Sequence, residues 1–252
     1  MSANAVTSLL SNASSSATDA GSTASTILQY PKAKANNAPS VVVTLSPAAK
    51  AASASSASGQ PDFATVANNA RATLDAGYKK LGKTPDIYTN YNDWKGAFGG
   101  MDRRSLYAVA SNKGGQFSKM EQGVAHEFMS DQQAAALGLT NGIFQSDPAA
   151  GFKAGIAFFD GVSPEEKAGS FEWAQQRAAI QFGYESAMRQ KGEKPENLNS
   201  DSPVVKMLKG AMDALRNLND SSKKLEDMPQ YQQAQNDFNS SGTSASVIDK
   251  TV

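Results

Sequence analysis

The sequence predicts an all-α protein: a single helical bundle of about six or seven helices, between a disordered N-terminal head and a short flexible C-terminal tail. Beyond residue 60, apolar residues recur every three or four positions and alternating strand patterns are absent. The ends of those periodic stretches carry the residue types that cap helices. Residues 1–60 differ in kind, with 34 Ala, Ser or Thr, four charges (Asp19, Lys32, Lys34, Lys50) and one aromatic, Tyr30. A segment so poor in large apolar side chains cannot bury enough surface to offset the entropy of ordering its backbone. The expected division is therefore a Ser/Ala/Thr-rich head over 1–60, a globular helical domain over 61–238 and a flexible tail over 239–252. The middle part is long enough for one core of ordinary size.

Within the head, Val41–Leu45 is β-branched and apolar, and Ser46-Pro47 reads as an N-cap with Pro at the first helical position before Ala48–Ala54. Residues 40–57 are expected to be a linker with a sticky patch, or else a segment that folds on a target.

The first helix follows Asp62, with Phe63, Val66, Ala67, Ala70, Leu74, Gly77, Tyr78 and Leu81 at helical spacing and Gly82 as its C-cap. Lys83–Asn92 contains Pro85 and reads as a loop. Trp94 and Phe98 form an i,i+4 pair on a short helix ended by Gly99-Gly100. Asp102 caps Arg103–Ala110, with Met101 and Leu106 placed for a hydrophobic staple. Ser118 and Glu121 form the capping box of the next helix, which should bury Met120, Val124, Phe128 and Met129 and stop near Ala136, before Gly138.

Asp147-Pro148 opens a helix with Phe152, Ile156 and Phe159 on one face, closed by Asp160-Gly161. Ser163-Pro164-Glu165-Glu166 repeats the capping-box pattern and starts a helix that runs to about Gln190. That helix is apolar on two faces, so a central position is expected. Ser202-Pro203 begins the last strong helix, with Val204, Leu208, Ala211, Leu215 and Leu218 in register, and Met228–Phe238 adds a short turn.

Composition excludes several functions. Net charge is zero and balanced piecewise, with ten Lys/Arg and ten Asp/Glu over 61–160 and eleven and thirteen over 161–252. No basic face of the kind nucleic-acid binding requires is visible, so no nucleic acid is expected. The absence of cysteine removes disulfides, thiolate nucleophiles and Cys-based zinc sites. No stretch approaches the roughly 18 apolar residues of a membrane span. The N-terminus has neither the basic nor the apolar region of a secretory signal, and the first arginine is Arg71. The expected location is the cytoplasm, or outside the cell by a route that does not read a signal peptide. In composition the head resembles those of flagellar and type III export substrates.

Sites of chemistry are sparse. His126 is the only histidine, and H-E-x-x-H fails because Ser130 stands where the second ligand belongs. No serine sits in a G-x-S-x-G elbow, and no phosphate-binding glycine motif occurs. The loop Ala110–Glu121 resembles an EF-hand in Gly115, Phe117 and Glu121, yet Ala110 and Gly114 offer no side-chain oxygen where calcium needs it. Asn197, Asn199 and Asp201 form a second fragment, with Ser202 in place of glycine. Both read as degenerate loops that feed N-caps, and no cofactor or metal is expected. Glu127, Asp131, Glu165, Glu166 and Glu172 could supply a hydrolytic carboxylate pair, but their positions are those that capping and solubility favour. Trp94, Phe98 and Trp173 are the candidate partner-binding residues, because aromatics dominate interface energies.

The expectation is thus a non-enzymatic interaction or structural protein of bacterial type, exported or tethered through its head and binding another protein. The alternatives are a carboxylate-based hydrolase and a regulator whose residues 40–57 fold on a target.

Overall fold

The computed structural model describes residues 59–243, apart from 87, 145, 219 and 221. Expectations for the head, including residues 40–57, lie outside the described residues. So do those for the tail from residue 244 onward.

The all-α class holds. Among the described residues nine α-helices follow in order: α1 (Phe63–Leu81), α2 (Tyr91–Phe98), α3 (Arg103–Ser111), α4 (Lys119–Ala136), α5 (Pro148–Gly161), α6 (Pro164–Gly169), α7 (Phe171–Gln190), α8 (Pro203–Leu218) and α9 (Pro229–Thr243). A 3-10 turn, Leu225–Asp227, precedes α9. The excess over six or seven has two sources. The helix expected from Pro164 to Gln190 breaks at Ser170, whose backbone is extended and whose side chain accepts from the Trp173 amide, so one helix becomes α6 and α7. The turn expected within Met228–Phe238 is a 15-residue helix that continues to Thr243.

Local chemistry sets the boundaries. Asp62, Asn90, Asp102, Ser118, Ser163 and Ser170 each accept from the amide three residues on, which satisfies one of the unpaired donors of a first turn. Gly82 and Gly99 end α1 and α2 in the left-handed region, where a side chain would be strained.

A minimal antiparallel hairpin joins α4 to α5: β1 (Leu139–Thr140) pairs with β2 (Ile143–Phe144) across Asn141-Gly142. Both turn residues have positive φ, 50° and 75°, the pattern of a type I′ turn. Strands of two residues are too short to alternate, which is why no strand pattern shows in the sequence. The Asn-Gly pair was the available signal.

Among the described residues two clusters of buried apolar side chains form. The N-terminal lobe packs α1 to α4 around Leu74, Phe98, Leu106, Val109, Phe117 and Ala125. The C-terminal lobe packs α5, α7, α8 and α9 around Phe159, Ala178, Ile180, Leu208, Ala211 and Ala234. Each large aliphatic or aromatic side chain removed from water contributes about 1.5–3 kcal/mol, so each lobe carries its own driving force. Helix α7 is central to the second lobe as expected, packed by α5 and by α8. Helix α4 is rotated from its expected face. Its buried residues are Glu121, Ala125, Met129 and Gln133, while Met120, Val124 and Phe128 are only partly covered. A carboxylate can occupy that stripe because α1 supplies its partners: Arg71 Nη1 and Tyr78 Oη donate to Glu121 Oε1 at 2.8 and 2.6 Å.

Candidate functional site: an ionic seam between two lobes

The first turn of α3 presents two consecutive arginines, and the first turn of α6 two consecutive glutamates. The fold sets these turns against each other. Arg103 Nη2 donates to Glu166 Oε1 at 2.7 Å, and Arg103 Nε lies 3.1 Å from both Glu166 oxygens. Beside it, Arg104 Nη2 and Nε donate to Glu165 Oε1 and Oε2 at 2.6 and 3.2 Å. Both are forked guanidinium–carboxylate pairs, the strongest geometry available to such groups. Arg103 also donates to the Met129 carbonyl of α4 at 2.6 Å, and its guanidinium lies 5.3 Å from the centre of the Phe158 ring on α5. One side chain therefore ties α3, α4, α5 and α6 together. The glutamates gain further from the positive end of α6, whereas the arginines sit unfavourably at that of α3; the pairing offsets the mismatch.

This seam corrects one sequence expectation. Ser163 Oγ accepts from the Glu166 amide, but the Glu166 carboxylate does not return to Ser163 as a capping box requires. Arg103 takes it instead, because two fork bonds to a cation are stronger than one to a neutral amide.

Around the seam the ionisable groups depart from their ordinary behaviour. Burial, then the charges of Glu166 and Glu165, push the Tyr107 phenol far above its usual range. Burial also raises the Glu172 carboxyl, against the opposing charges of His126 and Arg103. Glu172 accepts one hydrogen bond, from Gln176 Nε2 at 2.8 Å. Burial lowers the Lys113 ammonium, and Glu165 only partly counters it.

The remaining predicted residues are scattered. Trp94, Phe98 and Trp173 are 7%, 2% and 5% exposed and lie within the two apolar clusters. Trp94 packs edge-on between Tyr78 and Phe98 within the N-terminal lobe. Trp173 Nε1 donates to the Phe159 carbonyl inside the other core. Among the described residues the exposed large aromatics are Tyr88 and Tyr91, at 86% and 44%, just before and at the start of α2. Tyr91 packs against Phe128 and donates to Asp131. His126 and Glu127 are exposed on α4.

The EF-hand-like loop closes on itself. Asn112 accepts from the Phe117 amide and donates to the Phe117 carbonyl, and Glu121 is held by Arg71, Tyr78 and the Ser118 amide. Burial works to raise the Glu121 carboxyl, but those hydrogen bonds outweigh it and hold the group below the ordinary carboxylate range. The second fragment serves Arg177, whose side chain is 1% exposed. Arg177 forks onto Asp160 and donates to the Leu198 carbonyl and to Gln181, which in turn donates to Asn199. Among the described residues no group of three or more His, Asp or Glu is placed to hold a metal ion.

Sequence reasoning missed Arg103, Arg104 and Arg177 because an arginine on a helix is exposed by default. The signal for the first two was present: a doublet of one sign at one helix start and of the other sign at another. Comparison with family profiles, with characterised proteins and with solved structures finds no match for this chain.

Proposed function

We propose that this chain is a non-enzymatic protein-binding protein. In this view the two-lobed helical body makes the specific contact, and the Ser/Ala/Thr-rich first sixty residues tether it or serve as an export segment. The observation that carries the reading is the employment of its acids. Glu165 and Glu166 are committed to Arg104 and Arg103, and Glu121 to Arg71 and Tyr78. A carboxylate held in a fork bond is neither a free base nor a ready acid. With Trp94, Phe98 and Trp173 in the cores, the contact centres on Tyr88 and Tyr91, whose rings offer large area at little entropic cost.

The test compares proteins that co-purify from the source cell with the full chain and with Y88A/Y91A, whose helicity should be unchanged. A partner retained by the full chain and lost by the double variant supports the reading; identical retention by both overturns the assignment to Tyr88 and Tyr91. Deleting residues 1–30 should keep an exported chain inside the cell, and unchanged export removes that role from the head.

One observation favours a second reading, a carboxylate-based hydrolase: Glu172 is raised by burial, as a general acid must be. Hydrolysis of a glycoside or ester panel by the full chain that disappears in E172Q would replace the binding reading.

A further inference from the structure

Among the described residues, two residues other than glycine hold a left-handed backbone, and both are asparagines: Asn112 (φ 45°) and Asn141 (φ 50°). Their surroundings differ. Asn112 ends α3 with its side-chain amide fixed at both atoms: Nδ2 donates to the Phe117 carbonyl and Oδ1 accepts from the Phe117 amide, each at 2.9 Å. Asn141 is exposed at the tip of the β1–β2 turn, and among the described residues its side chain makes no hydrogen bond. Lys113 follows Asn112, whereas Gly142 follows Asn141. The Gly142 N–H is exposed too and donates no hydrogen bond among the described residues.

This turn sets an electrophile beside a nucleophile. Joining the Asn141 side-chain carbonyl carbon to the Gly142 nitrogen closes a five-membered ring. Glycine brings no side chain to crowd the approach and moves freely in φ and ψ. Strands of two residues hold a ribbon weakly, so the turn swings into the closing geometry at little cost.

We propose that Asn141 is a self-modification site, deamidated through a cyclic imide formed with the Gly142 nitrogen. Hydroxide takes the Gly142 amide proton, and the nitrogen attacks Asn141 Cγ. The bond from Cγ to the side-chain nitrogen breaks, and that nitrogen takes a proton from water and leaves as ammonia. Water then adds to one of the two ring carbonyls and opens the imide. Opening at Cγ leaves aspartate. Opening at the main-chain carbonyl leaves isoaspartate, whose main chain runs through the former side chain and is one carbon longer.

The extra carbon falls where the fold has little slack. The turn pairs Thr140 with Ile143 and Leu139 with Phe144. The Phe144 ring lies 4.8 Å from that of Phe152 on α5, and a Cβ added at Gly151 would stand 2.7 Å from Phe144 Cε1. Isoaspartate therefore shifts β2 against β1 and draws Phe144 from its seat on the C-terminal lobe. Because the turn links α4 to α5, the reaction ages the connection between the lobes, whether or not the chain binds a protein partner.

The experiment holds the full chain at mildly alkaline pH and follows each asparagine by peptide mass spectrometry, with fragmentation that separates aspartate from isoaspartate. Asn141 should convert at least about tenfold faster than Asn112, which must first give up two hydrogen bonds. In guanidinium, where those bonds are gone, the lead should narrow. The isoaspartyl fraction should melt below N141D, which carries the charge without the extra carbon. Equal or slower conversion of Asn141 in the native chain overturns the proposal, because the turn then protects its own amide. A lead undiminished in guanidinium removes the fold from the explanation, and equal melting of the isoaspartyl chain and N141D removes the effect on the connection.

Discussion

Glu172 and Glu121 carry the same charge and respond to acid in opposite ways. Burial raises the Glu172 carboxyl above its unfolded value of 4.5. The folded state therefore binds this proton more tightly than the unfolded state, and stability falls as pH rises through that window. At neutral pH the ionised group is a cost, softened by the charge of Arg103. Replacing it with the neutral isostere, E172Q, should stabilise the protein by on the order of 0.5–1 kcal/mol at pH 7, with no gain once pH is low enough to protonate the wild type. Thermal melts at several pH values would show this, and an unchanged or lower melting temperature at pH 7 would refute it. Glu121 is held below 4.5, so its contribution is present above that value and lost as pH falls through the folded value. In Y78F one of its three clamps is gone. The variant should lose about 1–2 kcal/mol at neutral pH and show a shallower acid-induced decline.

At the scale of elements, helix contact depends on a few glycines. A Cβ added at Gly77 would stand 2.4 Å from the Ala97 carbonyl oxygen and 2.6 Å from the Ala97 Cα, both backbone atoms that cannot turn aside. G77A should force α1 and α2 apart and cost about 1–3 kcal/mol. Gly123 on α4 faces open space, so G123A should stabilise by up to about 1 kcal/mol through helix propensity. Chemical denaturation of the two variants should therefore give shifts of opposite sign. Elements were also the scale most legible in the sequence. Caps such as Asp62, Asp102 and Ser118 act over three residues, and that range is open to inspection in a linear chain. What defeated sequence reasoning acts over longer distances. Glu166 lies 63 residues from Arg103, so its recruitment from the capping box could not be seen locally. Ser170 broke a helix that periodicity alone would have continued, and the buried face of α4 was set by Arg71 and Tyr78, which arrive from another helix.

For the whole molecule, the division into two apolar clusters makes the Arg103–Glu166 and Arg104–Glu165 pairs a joint rather than decoration. Removing one member of a buried pair leaves the other desolvated and unmatched, whereas replacing both with apolar groups removes the penalty with the bond. E166A should destabilise by about 3–5 kcal/mol, and R103M/E166L should recover most of that loss. A double-mutant cycle by denaturation measures the coupling, and additive effects would mean that the lobes are held chiefly by other contacts. The seam itself was half legible: the Arg-Arg and Glu-Glu doublets were visible, but only the tertiary fold shows that they meet.

Gln60 Oε1 lies 3.3 Å from Arg104 Nη1, so the first described turn of chain leaves the body beside one of these two forks. Trimming the chain from that end would take one neighbour from Arg104 while leaving its fork with Glu165 in place, so the joint between the lobes is reached from the amino-terminal side through a single polar contact.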